Sequence, residues 1–259
     1  MRTLLVIGAV TYASATLAYL IELYRNAERP NDFARRLYVA ASAYWLVAFP
    51  YGAVQYSLCV GLRPWLIVLA WALGAVFLWL ERRYAIAALG SMVAALSTIL
   101  CVHSIFLESS PDTLLSGPLA DWVLWIHISL AFVGVIGFVF AAATSSLYLV
   151  VSGRLKNKKI PGAGLPSLDV LDGLALRSVI VGFPIYTVAL LLGSAQAVRA
   201  GTGDIKLAYI FAALSWLIYG VVLQARLTAG WRGRNAAMLT IIGCISSLLV
   251  VGMYSTGTA

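Results

Sequence analysis

Eight long apolar stretches are the feature that most constrains how this 259-residue chain can fold. A helix that crosses a bilayer needs about 20 consecutive, mostly apolar residues. The connections between the stretches are short and leave no room for a soluble domain. The sequence therefore predicts an all-α integral membrane protein, a single polytopic membrane domain over residues 1–259 with eight transmembrane helices. Their predicted bounds are 3–23, 37–60, 64–80, 84–106, 122–151, 173–198, 206–225 and 235–255.

The composition also indicates a membrane protein. Hydrophobic residues make up 62% of the chain, charged residues only 11%, and the mean hydropathy is +0.93. A soluble domain carries about 25% charged residues. The first apolar run continues to Leu23, past a signal-like "ASA", so we expect a retained first helix. Cys59, Cys101 and Cys244 lie far apart without a CxxC pair, which favours packing roles over a zinc site or a thiol relay.

The basic residues are distributed unevenly between the two predicted sides of the membrane. Of the 18 lysines and arginines, thirteen fall at the first, third, fifth and seventh connections and four at the opposite side. Cytoplasmic loops carry the excess of Lys and Arg in membrane proteins. The sequence therefore predicts that both termini lie outside and that residues 153–172 are cytoplasmic. The thirteen are Arg25, Arg29, Arg35, Arg36, Arg82, Arg83, Arg154, Lys156, Lys158, Lys159, Arg226, Arg232 and Arg234.

The chain has two histidines, and each interrupts an apolar run: His103 in "ILCVHSIFL" and His127 in "LWIHISLAF". His103 lies near the outer end of the fourth predicted helix, and His127 near the outer end of the fifth. With a rise of 1.5 Å per residue, both lie at one depth to within roughly 5–8 Å. Because these two helices are consecutive, we expect both imidazoles in one zone of the outer leaflet.

Two imidazoles with few other ligands favour haem over a simple metal ion. No Asp, Glu or Cys lies at that depth to complete a zinc or copper site. Haem b needs only axial ligands and an apolar, aromatic-lined slot, and neutral imidazoles cost the membrane less than carboxylates do. We expect His127 and His103 as the axial ligands of the haem iron, with Trp125 and Trp122 as further cofactor-binding residues. A second interpretation stays open, in which each histidine donates to a neighbouring carbonyl or faces interfacial water.

No arrangement of residues indicates catalysis. Ser129 is two residues from His127 and points elsewhere on a helix, and neither a G-x-S-x-G sequence nor a phosphate loop is present. The formal charge of +8 follows the membrane topology, and no RNA-binding motif accompanies it. We therefore expect a protein that is not an enzyme, whose surroundings are the lipid bilayer and which binds no nucleic acid.

Three blocks of the second half resemble a known family. "WVLWIHISLAFVGVIGFVFAAATSSLYLV" resembles the histidine-bearing helix of the cytochrome c assembly superfamily, which includes the CcsA-type and CcmC-type membrane proteins. "LPSLDVLDGLALRSVIVGFPIYTVALLLGS" and "LSWLIYGVVLQARLTAGWRGRNAAMLTIIG" resemble its HemX-like branch. The resemblance covers residues 120–255 and implies haem binding at the outer face, with His127 as an external haem ligand.

This chain also departs from the assembly factors in the family. The connection "SAQAVRAGTGDIKLAY" lacks their tryptophan-rich motif, and no histidine follows the last helix. HemX-like proteins are associated with control of haem biosynthesis through the level of glutamyl-tRNA reductase. The resemblance therefore implies haem handling in the cytoplasmic (inner) cell membrane, as a regulator of haem biosynthesis or as an accessory to cytochrome c maturation. Glutamyl-tRNA reductase and other haem-pathway or cytochrome assembly proteins are the implied partners.

Two alternatives to haem handling of this kind remain. The protein could export haem or a small apolar molecule, in which case Pro50 and Pro184, within the second and sixth helices, would line a path. It could also be a structural subunit that binds no cofactor.

Overall fold

A computed structural model describes residues 2–24, 32–56, 63–84, 89–107, 118–157, 166–199 and 206–256. Within these ranges the chain is helical and contains no strand, which confirms the predicted all-α fold. The helices are α1 (Arg2–Tyr24), α2 (Asp32–Tyr56), α3 (Arg63–Tyr84), α4 (Gly90–Phe106), α5 (Pro118–Lys156), α6 (Leu168–Arg199), α7 (Leu207–Thr228) and α8 (Arg234–Thr256).

Seven of these helices are long and apolar enough to cross a membrane, so this is a multi-pass membrane protein. The remaining helix, α4, is apolar but has 17 residues. The predicted count of eight transmembrane helices, and the outside position of both termini, stay predictions.

Several helices begin or end elsewhere than the apolar stretches predict. Helix α2 begins at Asp32, five residues before the predicted start, and α5 has 39 residues where 122–151 was predicted. Tyr84 is the predicted first residue of the fourth helix, but in the structure it is the last residue of α3. These corrections share one cause: hydropathy marks the part of a helix that meets lipid, whereas backbone hydrogen bonds continue into polar flanks such as Arg154–Lys156.

The chain forms two compact units. The first comprises Met1–Pro111 with Val151–Ser167, and the second comprises Asp112–Val150 with Leu168–Ala259. The expectation of a single polytopic domain is not tested by this division and stays a prediction.

In the first unit, buried tyrosine and serine side chains join three helices. The Tyr38 hydroxyl lies 3.0 Å from Ser97 Oγ, and Ser97 Oγ donates to the Ala70 carbonyl at 3.2 Å. Since the single proton of Ser97 is used on Ala70, Tyr38 is the donor to Ser97. These bonds connect α2, α4 and α3 inside an apolar bundle, where an unmade bond would be costly.

Glycines of the first unit let aromatic rings lie against neighbouring helices. A Cβ added at Gly74 would lie 2.8 Å from the Tyr38 hydroxyl, and one at Gly90 would lie 2.5 Å from the Tyr19 ring. Membrane helices associate through packing at small residues, because lipid removes the hydrophobic force between them. Each of these two glycines therefore makes room for a buried ring.

In the second unit, glycines bring the backbones of α5 and α6 into contact. A Cβ at Gly182 of α6 would lie 3.1 Å from the Gly134 carbonyl oxygen and 3.4 Å from Gly137 Cα. A Cβ at Gly134 would lie 2.8 Å from Tyr186 Cβ. Later residues of α5 meet earlier residues of α6, so the two helices run antiparallel.

Aromatic side chains fill the interior of the second unit. The Phe138 and Tyr219 rings stack with centroids 3.7 Å apart, and the Tyr186 ring meets Phe138 edge-on at 5.0 Å. The Tyr219 hydroxyl donates to the Thr240 carbonyl, which connects α7 to α8. The aromatic core thus joins all four helices of this unit.

One buried ion pair lies between α6 and α7. Arg226 Nη1 lies 3.0 Å from the Asp172 carboxylate and also donates to the Asp172 carbonyl at 3.3 Å. Arg226 is 8% exposed, so removing Asp172 would leave a buried charge uncompensated.

We expect the Tyr38–Ser97 hydrogen bond to stabilise the first unit measurably. In a double-mutant cycle of Tyr38→Phe and Ser97→Ala, the coupling energy should be about 0.6 kcal/mol and no more than about 1.7 kcal/mol, as for other bonds between membrane helices. Equilibrium unfolding in mixed detergent micelles measures it. Ser194→Ala removes an exposed hydroxyl bonded only within its own helix and is the control. Strict additivity of the two substitutions would contradict the bond.

Candidate functional site

His127 lies on α5 in the second unit, on the face that meets α6. Its Nδ1 atom is 2.6 Å from the carbonyl oxygen of Ala189, which is a buried residue of α6. The imidazole is partly buried. The side chain therefore reaches across a helix–helix contact and is held there by a backbone group.

The hydrogen bond to Ala189 determines which ring nitrogen of His127 carries the proton. A carbonyl oxygen can only accept, so Nδ1 carries the hydrogen and donates it. In the neutral ring, Nε2 then keeps its lone pair. Within the part of the chain that the structure describes, Nε2 has no hydrogen-bond partner. The donor set therefore fits a haem iron: an unpaired Nε2 on a partly buried ring that is oriented through Nδ1, as in many metal-binding histidines.

Gly193 of α6 provides the space for this arrangement. A Cβ at this position would lie 2.6 Å from Cε1 of His127, 3.1 Å from Nδ1 and 3.2 Å from Nε2. The imidazole thus packs directly on the α6 backbone at Gly193, one helical turn beyond the carbonyl to which it donates. One short segment of α6 supplies both the acceptor and the gap.

Trp122 and Trp125 do not share the α5 face of His127. They are 54% and 46% exposed, and they precede His127 by five and two residues. With 3.6 residues per turn, such positions lie about 140–160° around the helix from His127. The structure therefore does not bring the two indoles to the imidazole from the same helix face, and their role in cofactor binding stays a prediction.

His103 lies on α4 in the first unit and is partly buried. Its pairing with His127 around one iron stays a prediction, because the two histidines belong to different units. Among the described residues, no group of three His, Cys, Asp or Glu side chains could hold a metal ion.

Pro50 and Pro184 lie within α2 and α6, as expected, and both are exposed. Neither side chain points into the interior of its own unit. Their positions therefore give no support to an export path lined by these prolines.

Sequence reasoning missed the partners of His127 on α6. The identities of Ala189 and Gly193 do not indicate a site in the sequence. Ala189 contributes only its backbone oxygen, and Gly193 contributes only the space left by its missing side chain. A signal did exist on α5: Gly134 and Phe138 follow His127 by seven and eleven residues, which places all three on one helix face. That spacing predicts a close contact for the His127 face but does not say with which helix.

Fold and site together define a multi-pass helical membrane protein with one imidazole oriented by a neighbouring helix backbone. Comparison with known proteins then gives the family. The family model described as "Cytochrome C assembly protein" matches residues 60–256, which is well over half of the chain. The chain belongs to the cytochrome c assembly protein family.

Curated relatives agree with this assignment. The chain is 28% identical over 252 residues to "Cytochrome c biogenesis protein CcsA" of Synechococcus sp. (strain CC9902), covering 81% of this chain and 78% of the relative. The CcsA protein of Guillardia theta is 25% identical over 206 residues, covering 70% and 67%. That of Chlamydomonas reinhardtii is 27% identical over 170 residues, covering 60% and 45%. No solved structure matches this chain.

We expect His127 in the cofactor-free protein to be neutral and protonated at Nδ1. ¹⁵N NMR of histidine-labelled protein in detergent should show, for His127, one protonated and one unprotonated ring nitrogen with the proton assigned to Nδ1. Because the chain has only two histidines, a His103→Gln variant leaves His127 as the sole signal. A proton found on Nε2 would contradict the hydrogen bond to Ala189.

Proposed function

We propose that this protein binds haem b through His127 and acts in haem handling, as a non-enzymatic accessory to cytochrome c assembly. One observation carries the proposal: His127 donates from Nδ1 to a buried carbonyl of α6, which leaves the lone pair of Nε2 without a hydrogen-bond partner among the described residues. Family membership adds the context, since curated relatives are named cytochrome c biogenesis proteins.

Each residue of the site would have a different role in holding the cofactor. Haem, when bound, would supply a redox-active iron. His127 would hold it through Nε2, the Ala189 carbonyl would keep the ring's tautomer and orientation, and Gly193 lets the ring lie close to α6. His103 is the proposed second ligand, on the argument that both histidines have the same predicted depth in the outer leaflet.

The missing tryptophan-rich motif favours an accessory or regulatory role over delivery of haem to an apocytochrome. We place the protein in the HemX-like branch and in the cytoplasmic membrane on the sequence blocks that resemble that branch. Other cytochrome c assembly proteins are the proposed partners. Two segments of the sequence are the candidate contacts, each taken by itself: the basic stretch 153–160, with Arg154 and Lys156, and the helix start 166–172, with Asp169. Residues 158–160 of the first segment lie outside the described ranges.

We expect the protein purified in detergent to show the absorption bands of a low-spin, six-coordinate b-type haem, either as isolated or after haemin is added. His127→Ala should abolish these bands, because the proposed iron ligand is removed. His103→Ala should convert the spectrum to a five-coordinate, high-spin form if His103 is the second ligand. Ser129→Ala, on an exposed position of the same helix, is the matched control and should bind haem as the wild type does. A colourless wild type that takes up no haemin would rule out the proposed function.

Deletion of the gene separates the two cellular roles. An accessory to cytochrome c maturation predicts a lower level of holocytochromes c at an unchanged level of glutamyl-tRNA reductase. A regulator of haem biosynthesis predicts a raised level of the reductase, with which the protein would also copurify. If deletion changes neither level, both roles are wrong.

A further inference from the structure

We propose that Gly193 is a positioning residue for the His127 imidazole: its missing side chain is what permits the Nδ1 hydrogen bond to Ala189 and thereby sets the strength of Nε2 as an iron ligand. The proposal rests on the proposed function, in which Nε2 holds the haem iron. It extends that function from α5, which carries the ligand, to α6, which has no ligating side chain at this place.

A side chain at position 193 would collide with the His127 ring. A Cβ at position 193 would lie 2.6 Å from Cε1 of His127, which is closer than real Cβ contacts come. Either the ring or the α6 backbone must therefore move when any side chain is introduced there. The same Cβ would lie 3.1 Å from Nδ1, the atom that donates to Ala189. A shift of the ring away from position 193 thus also strains or breaks the hydrogen bond.

Helices α5 and α6 cannot easily separate to make room for a side chain. Further toward the C-terminal end of α5, the Cβ position of Gly182 lies 3.1 Å from the Gly134 carbonyl oxygen, and that of Gly134 lies 2.8 Å from Tyr186 Cβ. These contacts hold α5 and α6 backbone to backbone. The imidazole, in contrast, can rotate about two side-chain bonds. We therefore expect the ring to move and the helix backbone to stay in place.

The hydrogen bond from Nδ1 to Ala189 also affects how strongly Nε2 can bind an iron. A hydrogen bond from the distal ring nitrogen fixes the orientation of a ligating histidine and raises its basicity, and losing such a partner typically lowers metal affinity roughly 10- to 100-fold. A more basic axial ligand favours the ferric state over the ferrous state. Loss of the bond to Ala189 should therefore weaken haem binding and raise the reduction potential of the bound haem.

The test compares Gly193→Ala with Gly173→Ala. Both glycines lie in α6, but a Cβ at Gly173 meets nothing within 4 Å, so the pair separates the effect at the imidazole from the general effect of alanine in this helix. In the cofactor-free proteins, ¹⁵N NMR on a His103→Gln background reports the His127 tautomer. In the haem-loaded proteins, haemin titration and redox titration report the affinity and the potential.

For Gly193→Ala we expect loss of the pure Nδ1–H tautomer, haem affinity lower by roughly 10- to 100-fold, and a higher reduction potential. Gly173→Ala should match the wild type in all three. An unchanged tautomer and unchanged affinity in Gly193→Ala would overturn the positioning role even though the wild type binds haem. If the wild type binds no haem, the proposed function fails, and the NMR comparison alone then decides whether Gly193 positions the imidazole. Because unfolding would mimic weaker binding, the thermal stability of each variant is measured alongside.

Discussion

The close contact between the α5 and α6 backbones is the constraint on which the second unit depends. Lipid gives no hydrophobic force to press two helices together, so close approach must come from small residues and from hydrogen bonds. Gly134, Gly137 and Gly182 allow that approach, and the His127 side chain then spans the gap that remains toward the N-terminal end of α5 and the C-terminal end of α6. The candidate haem ligand is therefore a consequence of glycine packing as much as of a histidine in the sequence.

The same relation between glycines and rings recurs in the first unit. Tyr38 packs on Gly74, Tyr19 on Gly90 and Trp45 on Gly8, each across a helix boundary. There the rings belong to tyrosine and tryptophan side chains that fill the core, and Tyr38 also bonds to the Ser97 hydroxyl. At Gly193 the ring that uses the space is an imidazole, whose second nitrogen can bind a metal. The packing of a ring against a glycine of a neighbouring helix thus supports stability in one unit and a candidate cofactor site in the other.

The sequence predicted the helical membrane fold well, because hydropathy and helix length respond directly to the bilayer. It was less accurate for the ends of α2 and α5, since hydropathy says nothing about helix that continues into polar surroundings. His127 could be singled out because a polar residue in an apolar run is costly. The neighbours chosen for it, Trp122 and Trp125, are close in sequence but lie on another face of α5. Its structural neighbours, Ala189 and Gly193, depend on the register between α5 and α6, which only the tertiary structure contains.

Chemical rescue of the proposed ligand tests the central claim, that Nε2 of His127 binds the haem iron, most directly. His127→Gly removes the imidazole and leaves a space of its size between α5 and α6. Haemin titration of this variant should give little binding alone, and the low-spin spectrum of the wild type should return when free imidazole is added. A His127→Gly variant that binds haem as the wild type does, or that imidazole fails to restore while its thermal stability stays unchanged, would contradict the account.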